Sequence, residues 1–245
     1  MRQIILVSLL AIASVQAVMA QTAPPSHGFL VINGGYQVTA NDFRDSAIRH
    51  DNAEDGRLES TYVVKGGPAI NAAGGVVWRR LGIGVGVSRF TVVTPASVTG
   101  TVPHPFFFNQ LRSVNGEAAG LTREELAVDV QVRGVFPIGT RVQVMVFGGP
   151  SFFQVKQGVV TDFTYTDSYP YDEAQFGAAT TTNASVSKMG FNTGGDLAFF
   201  LTRSVGLGAT VQFSGTTVAL PGAGGASQDV KVGGVKVGGG LRLRF

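Results

Sequence analysis

The sequence predicts an all-β fold, an eight-stranded antiparallel up-and-down barrel that crosses a membrane with its strands. Three observations carry that expectation. Apolar residues recur in alternation, and after the N-terminus no run approaches the ~18 to 20 apolar residues a membrane helix needs. Charged residues make up only 14% of the chain, where a soluble domain averages about 25%, and the 34 glycines are roughly twice the usual share. The connections between alternating segments are short at one end and long at the other.

Taken from the start, residues 1–20 read as an export signal, with Arg2 as the basic start, Ile4 to Ala13 as the apolar core and Val18-Met19-Ala20 as the small-residue cleavage pattern before Gln21. Removing Arg2 with it takes the net charge from +3 to about +2, and residues 21–245 remain as one barrel domain.

Eight period-2 segments follow. In 28–38, Leu30, Ile32, Tyr36 and Val38 oppose Asn33 and Gln37. In 68–78, Ile70, Ala72, Val76 and Trp78 share a face, and in 82–88 Ile83, Val85 and Val87 oppose glycine and Ser88. Segment 125–136 sets Leu126, Val128, Val130 and Val132 against Ala127, Asp129, Gln131 and Arg133. Segment 141–149 carries Val142, Val144 and Val146 on one face, with a bulge expected at Gly148-Gly149-Pro150. Segment 187–201 opposes Met189, Phe191, Leu197, Phe199 and Leu201 to Lys188, Asn192 and Asp196, and 205–214 opposes Val205, Leu207, Ala209, Val211 and Phe213 to Gly206, Gly208, Thr210, Gln212 and Ser214. The last, 233–245, sets Val235, Val237, Leu241, Leu243 and Phe245 against Lys236, Arg242 and Arg244.

Residues 79–81, 137–140 and 202–204 read as short turns, and 39–67, 89–123, 159–186 and 215–229 as long polar loops. Each strand is close to the ~9 to 11 residues that cross a bilayer when tilted. A soluble β-sandwich would hide its apolar faces between two sheets, but would rarely leave glycine and charge as the whole opposite face. Trp78, Phe136, Phe199 and Phe245, near strand ends, fit an aromatic girdle.

The alternating tail closing on Phe245 resembles the C-terminal signal of bacterial outer-membrane barrels, and residues 28–245 resemble the OmpA/OmpX-type small outer-membrane β-barrel family. The resemblance implies insertion into a Gram-negative-type outer membrane by the barrel assembly machinery, which would read Val237, Leu241, Leu243 and Phe245. The peptidoglycan-binding domain of the longer members is not expected, because the chain stops at the last strand.

With the Val/Leu/Phe face toward lipid, the lumen would hold Asp129, Arg133, Lys188, Asp196, Lys236 and Arg242, together with Asn71, Gln131, Gln143, Asn192 and Gln212. Charges in so narrow a space must pair, so Asp129 or Asp196 is expected against Arg133, Lys188, Lys236 or Arg242. An eight-stranded barrel is just filled by its side chains, which argues against a wide pore.

The outer loops supply contact candidates: His104 with Phe106, Phe107 and Phe108 in VPHPFFFNQ, and Tyr165, Tyr169 and Tyr171 in DFTYTDSYPYDEAQF. The Phe patch either caps the lumen, dips into the lipid interface or meets a partner. DNAEDG (51–56) has the start of a calcium loop, but Ala53 and Tyr62 stand where ligands are needed, so a solvated loop is expected. A rim catalytic set of Ser97 or Ser113 with His104 and Glu117 has no support in spacing.

The absence of cysteine removes disulfides and thiolate sites, and the diffuse positive charge carries no nucleic-acid stripe. No cofactor or metal is expected. The expectation is a non-enzymatic monomer whose outer loops meet lipopolysaccharide, a host surface or another envelope protein. A narrow porin-like channel is the alternative, and a lipid A-modifying enzyme comes third.

Overall fold

A computed structural model describes residues 26–38 and 41–245; the expected export signal lies outside them. Ten strands form one antiparallel sheet that closes in a ring. They are β1 (Ser26–Val38), β2 (Asn41–Asp51), β3 (Glu54–Val64), β4 (Gly67–Trp78), β5 (Leu81–Pro103), β6 (Leu111–Ile138), β7 (Val142–Asp167), β8 (Ala174–Phe200), β9 (Val205–Pro221) and β10 (Ser227–Arg244). β1 pairs with β4 and β10, and each strand from β4 to β10 pairs with the next. β2 and β3 form a hairpin off this circuit, and β3 pairs with the upper part of β5 at Arg57↔Thr101 through Tyr62↔Ala96.

The seams follow the sequence pattern closely. Leu30 lies opposite Leu243 and Ile32 opposite Leu241, and Phe245 exchanges backbone hydrogen bonds with Gly28, so the pairing runs to the last residue. A Cβ on Gly28 would sit 2.4 Å from the Phe245 ring, so glycine at this position of the first strand makes room for the terminal aromatic.

The long loops are corrected. Residues 89–103, 111–123, 159–167, 174–186 and 215–221 continue the strands, and 41–51 with 54–64 add a hairpin, leaving 104–110, 168–173 and 222–226 as the outer connections. The reason is a change along the strands in which face carries the apolar residues. In β5, Ile83, Val85 and Val87 are exposed, and the outward positions beyond them are Arg89, Thr91, Val93, Pro95, Ser97, Thr99 and Thr101, mostly polar; inward, Ser88 gives way to Phe90, Ala96, Val98 and Val102. The alternation therefore persists, but its polarity inverts, and a polar outward face reads as loop.

The inverted upper part holds a large apolar core, including Leu58, Tyr62, Phe90, Val98, Leu121, Phe153, Val159 and Phe163. The Tyr62 hydroxyl accepts from Val160 N at 2.7 Å, tying the hairpin side to β7. The expected bulge at Gly148-Gly149-Pro150 is also corrected: the β6–β7 register is the same on both sides, at Asp129↔Ser151 and Val132↔Gly148. A Cβ on Gly149 would lie 2.2 Å from Val130 O, so glycine there permits close approach of two strands. Bulges occur instead at Thr94/Ala96, Val160/Asp162 and Phe163/Tyr165.

The DNAEDG stretch is a two-residue hairpin turn with Asn52 and Ala53 both at positive φ, 50° and 62°. That is the signature of a type I′ turn, which favours Asn-Gly. Ala53→Gly is expected to raise the stability of the refolded protein by about 0.5 to 1 kcal/mol in urea titration; an unchanged or lower midpoint would refute the turn assignment.

Candidate functional site

Two regions gather the polar and aromatic residues that the sequence singles out. The first is a belt across the lumen. Arg242 on β10 forms a buried ion pair with Asp196 on β8, and its Nη1 donates to Asn33 Oδ1 at 2.6 Å and its Nη2 to Thr210 Oγ1 at 2.7 Å. From Asn33 the network passes to Asn71 (3.3 Å), from Asn71 to Gln212 Oε1 (3.3 Å), and from Gln212 Nε2 to Asp129 Oδ2 (2.8 Å). Ser151 Oγ donates to the other oxygen of Asp129 at 2.6 Å, and Asn192 links Ser151 to Gln131, which accepts from Arg133. One hydrogen-bonded chain thus joins β1, β4, β6, β7, β8, β9 and β10, so the inward polar residues of these strands are held largely by one another, with Arg133 Nε and Ser214 Oγ left without a hydrogen-bond partner among the described residues.

The expected Asp196–Arg242 pairing is present. Asp129 is held by neutral donors instead of a cation, and Lys236 Nζ donates to Ser88 Oγ at 2.8 Å. Arg133 stacks over Phe29 and Phe147, at 4.4 and 5.1 Å from their centroids. Lys188 is a correction: it is exposed, because β8 above Phe191 has no β9 partner and its side chain stands at an open margin.

A second buried pair was not legible. Arg123 Nε donates to Glu125 Oε1 at 2.7 Å, and Glu125 Oε2 accepts from Gln37 Nε2 and from Gly233 N. Both residues share the parity of Asp129 and Arg133 on β6, so carrying the alternation two residues further toward the N-terminus would have found them.

The lumen is plugged. Phe29, Val31, Val77, Val135 and Met145 close it below the belt, and the large apolar core fills it above. Lumen glycines make room for this filling: a Cβ on Gly84 would meet Phe29 at 2.8 Å, on Gly194 Phe147 at 2.7 Å, and on Gly208 Arg242 Nε at 2.5 Å. The cavity lined by Asn33, Asn71, Thr210, Gln212 and Lys236 offers about 20 Å³, room for a single water.

The second region is the outer summit, where the turns 52–53, 104–110 and 168–173 meet. Asn109 N donates to Glu54 Oε1 at 2.5 Å, and Arg112 Nη1 reaches Asp167 at 2.6 Å and Tyr171 O at 3.1 Å. The Phe106 ring meets Tyr171 edge-on at 5.1 Å, and Tyr171 meets Tyr169 at 6.0 Å. Two separate aromatic stretches therefore form one cluster. Phe106, Phe107 and Phe108 are 70%, 59% and 73% exposed, and Tyr169 is 86% exposed.

Two candidate contact residues are corrected. His104 is only 3% exposed: its Nδ1 accepts from Phe106 N and Phe107 N, at 3.1 and 3.2 Å, and shapes the turn from within. Tyr165 is half-buried among Phe163, Arg49 and Arg112 below the summit, where burial pushes its phenol above the ordinary range. Sequence reading also missed Arg49, which stacks over Phe163 at 4.8 Å and pairs with Asp162 at 2.7 Å. The rim catalytic set is not brought together. Ser97 lies opposite Glu117 on the exposed face, while His104 is seven residues on, about 20 Å along the strand, with its Nδ1 occupied.

No protein-family model matches the chain, and no curated protein matches it. Among solved structures it is similar to the outer membrane protein OprG from Pseudomonas aeruginosa, at 10% identity and TM-score 0.49 over 91% of this chain and 98% of that one. It is also similar to Neisserial surface protein A, at 12% identity and TM-score 0.44 over 92% and 100%. A third is the outer membrane protease OmpT from Escherichia coli, at 6% identity and TM-score 0.48 over 93% and 99%.

Exposed cations gather at the upper edge of the apolar band. Lys156 on β7, Lys188 on β8 and Lys231 on β10 stand just above the last exposed large hydrophobics of their strands, and Arg89 on β5 lies between Val87 and Val93. At the summit beyond them Glu54 accepts from Asn109 N next to the phenylalanines, and Asp172 and Glu173 follow Tyr171 in the turn 168–173.

Proposed function

We propose that this chain is a non-enzymatic protein of a Gram-negative-type outer membrane, exported through residues 1–20, that works by contact through its projecting outer summit. β1 and β4 to β10 make the wall, eight strands of a monomeric barrel of OmpA/OmpX type. The observation that carries the reading is the inversion of polarity: an apolar outward band with a polar interior below, and a polar outward face with an apolar core above. A band of that kind suits lipid, and a projection packed like a soluble domain suits contact with whatever lies outside.

Further features fit. Trp78, Phe136, Phe199 and Phe245 are exposed at the short-turn end, and Tyr36, Phe152, Phe191 and Phe213 at the other end of the band, as two interfacial girdles. The cations Arg89, Lys156, Lys188 and Lys231 stand at the height where phosphorylated lipopolysaccharide headgroups would lie. Val237, Leu241 and Phe245 are exposed along the closing strand, as a segment read by the barrel assembly machinery would be.

The plugged lumen sets contact against conduction. Refolded protein in a planar bilayer is expected to be electrically silent, and a variant carrying both Asp129→Ala and Arg133→Ala to remain so, because the apolar layers on either side of the belt are untouched. Steady, discrete currents from the unaltered protein would overturn the reading and make the porin-like channel primary.

A further inference from the structure

We infer that the summit is a wedge for the apolar layer of a second, zwitterionic lipid bilayer, an inference that rests on the contact reading above and names its partner. Three consecutive phenylalanines with exposed rings are costly to leave in water, and nothing among the described residues covers them. Their own membrane cannot. From Val93, the last exposed large hydrophobic residue of β5, to Pro103 is ten steps, about 33 Å of strand and about 25 Å of height at an ordinary barrel tilt. The rings can neither dip into the lipid around the barrel nor cap its lumen, which the upper core already fills.

Shape selects lipid over a protein groove. The rings stand on a convex turn held from beneath by His104 and Arg112, so the wedge is preformed. At about 150 to 250 Å² for a whole aromatic side chain, the exposed parts of Phe106, Phe107, Phe108 and Tyr169 offer on the order of 500 to 600 Å², short of the roughly 800 Å² per partner of a standard protein interface. Acyl chains conform to any convex apolar body. Tyr169 and Tyr171, flanking the phenylalanines, have the amphipathic form that settles at a headgroup boundary. Charge selects the lipid. Glu54 accepts from Asn109 N beside the phenylalanines, and Asp172 and Glu173 follow Tyr171 in the neighbouring turn, so an anionic surface is disfavoured and a phosphatidylcholine surface is not.

The test places the full-length protein in nanodiscs, which occupy the barrel, and floats it with separate phosphatidylcholine vesicles. The unaltered protein is expected to float. Phe106→Ser/Phe107→Ser/Phe108→Ser should lower vesicle binding by about a hundredfold or more, each ring being worth roughly tenfold. Adding phosphatidylglycerol to the vesicles should weaken binding; stronger binding would assign it to the cations at the band and overturn the wedge. Equal flotation of the triple variant would overturn it as well.

Because that variant alters a turn, Phe108→Trp supplies a second readout: its emission should be quenched by vesicles of brominated phosphatidylcholine, while Trp78 in the nanodisc is not. An unquenched Phe108→Trp overturns the proposal. A folded, electrically silent barrel that does not float overturns the lipid partner and leaves the contact reading standing, whereas discrete currents from the same preparation overturn that reading itself.

Discussion

Asp196→Ala is expected to destabilise the refolded barrel by about 3 to 5 kcal/mol, read as a lowered urea midpoint in detergent. The Arg242 guanidinium is 1% exposed and has Asp196 as its ionic partner, with Asn33 and Thr210 as neutral acceptors. Removing the carboxylate strands a charge in a lumen filled above and below by apolar side chains, away from bulk water. The comparison that isolates this cause is Asp196→Leu with Arg242→Met, which removes both charges at similar volume and should recover most of the loss. Asp129→Leu should cost less, about 1 to 3 kcal/mol, because the groups it leaves behind, Ser151 and Gln212, are neutral. An Asp196→Ala protein with an unchanged midpoint, or a double variant no better than the single one, would show that the pair does not hold the belt.

The different costs trace back to what the sequence could reveal. Inward parity marks Asp129, Arg133, Asp196, Lys236 and Arg242 correctly, because side-chain direction in a strand is a local property. Which of them touch is not local. It depends on the register of strands distant in sequence and on small neutral residues, and nothing in the spacing says that Asn33, Ser151 and Thr210 carry the links between charges.

Lys188 has inward parity too, and fails because its strand loses a neighbour at Phe191, a fact of topology. The outer strands were misread for a different reason. Alternation continues through most of 89–103 with apolar and polar faces exchanged, and in 159–167 two bulges break the period, so a template of apolar-out segments finds only the lower half of each strand. The summit was half legible: the aromatic runs are conspicuous, whereas the burial of His104 and Tyr165 needed the third dimension.

Gly240→Val and Gly34→Val form the second contrast with a large expected effect. Both glycines lie on the β1–β10 seam, one residue apart in register: Asn33 is opposite Gly240, and Gly34 opposite Gly239. A Cβ on Gly240 would stand 1.9 Å from Ile32 O and 2.9 Å from the Asn33 Cα, and backbone cannot swing aside as a side-chain tip can. The same seam carries Gly35, whose Cβ would stand 2.2 Å from Val237 O, so relaxing one clash pushes the strands toward another. At Gly34 no atom lies within 4 Å of the added carbon, and the position is exposed on the outward face between Ile32 and Tyr36.

Gly240→Val is therefore expected to cost about 3 kcal/mol or more and to lower the yield of refolded barrel sharply, since this seam is the closure that joins the first strand to the last. Gly34→Val should refold at the yield of the unaltered protein with an equal or slightly higher urea midpoint, a branched side chain being favoured on a pleated surface. Equal damage from both would point to a general need for glycine flexibility along the seam, and no damage from Gly240→Val would mean that β1 and β10 are not held at this spacing. A selective loss ties barrel closure to the space left by one inward glycine, the same device that seats Arg242 against Gly208 and Phe29 against Gly84.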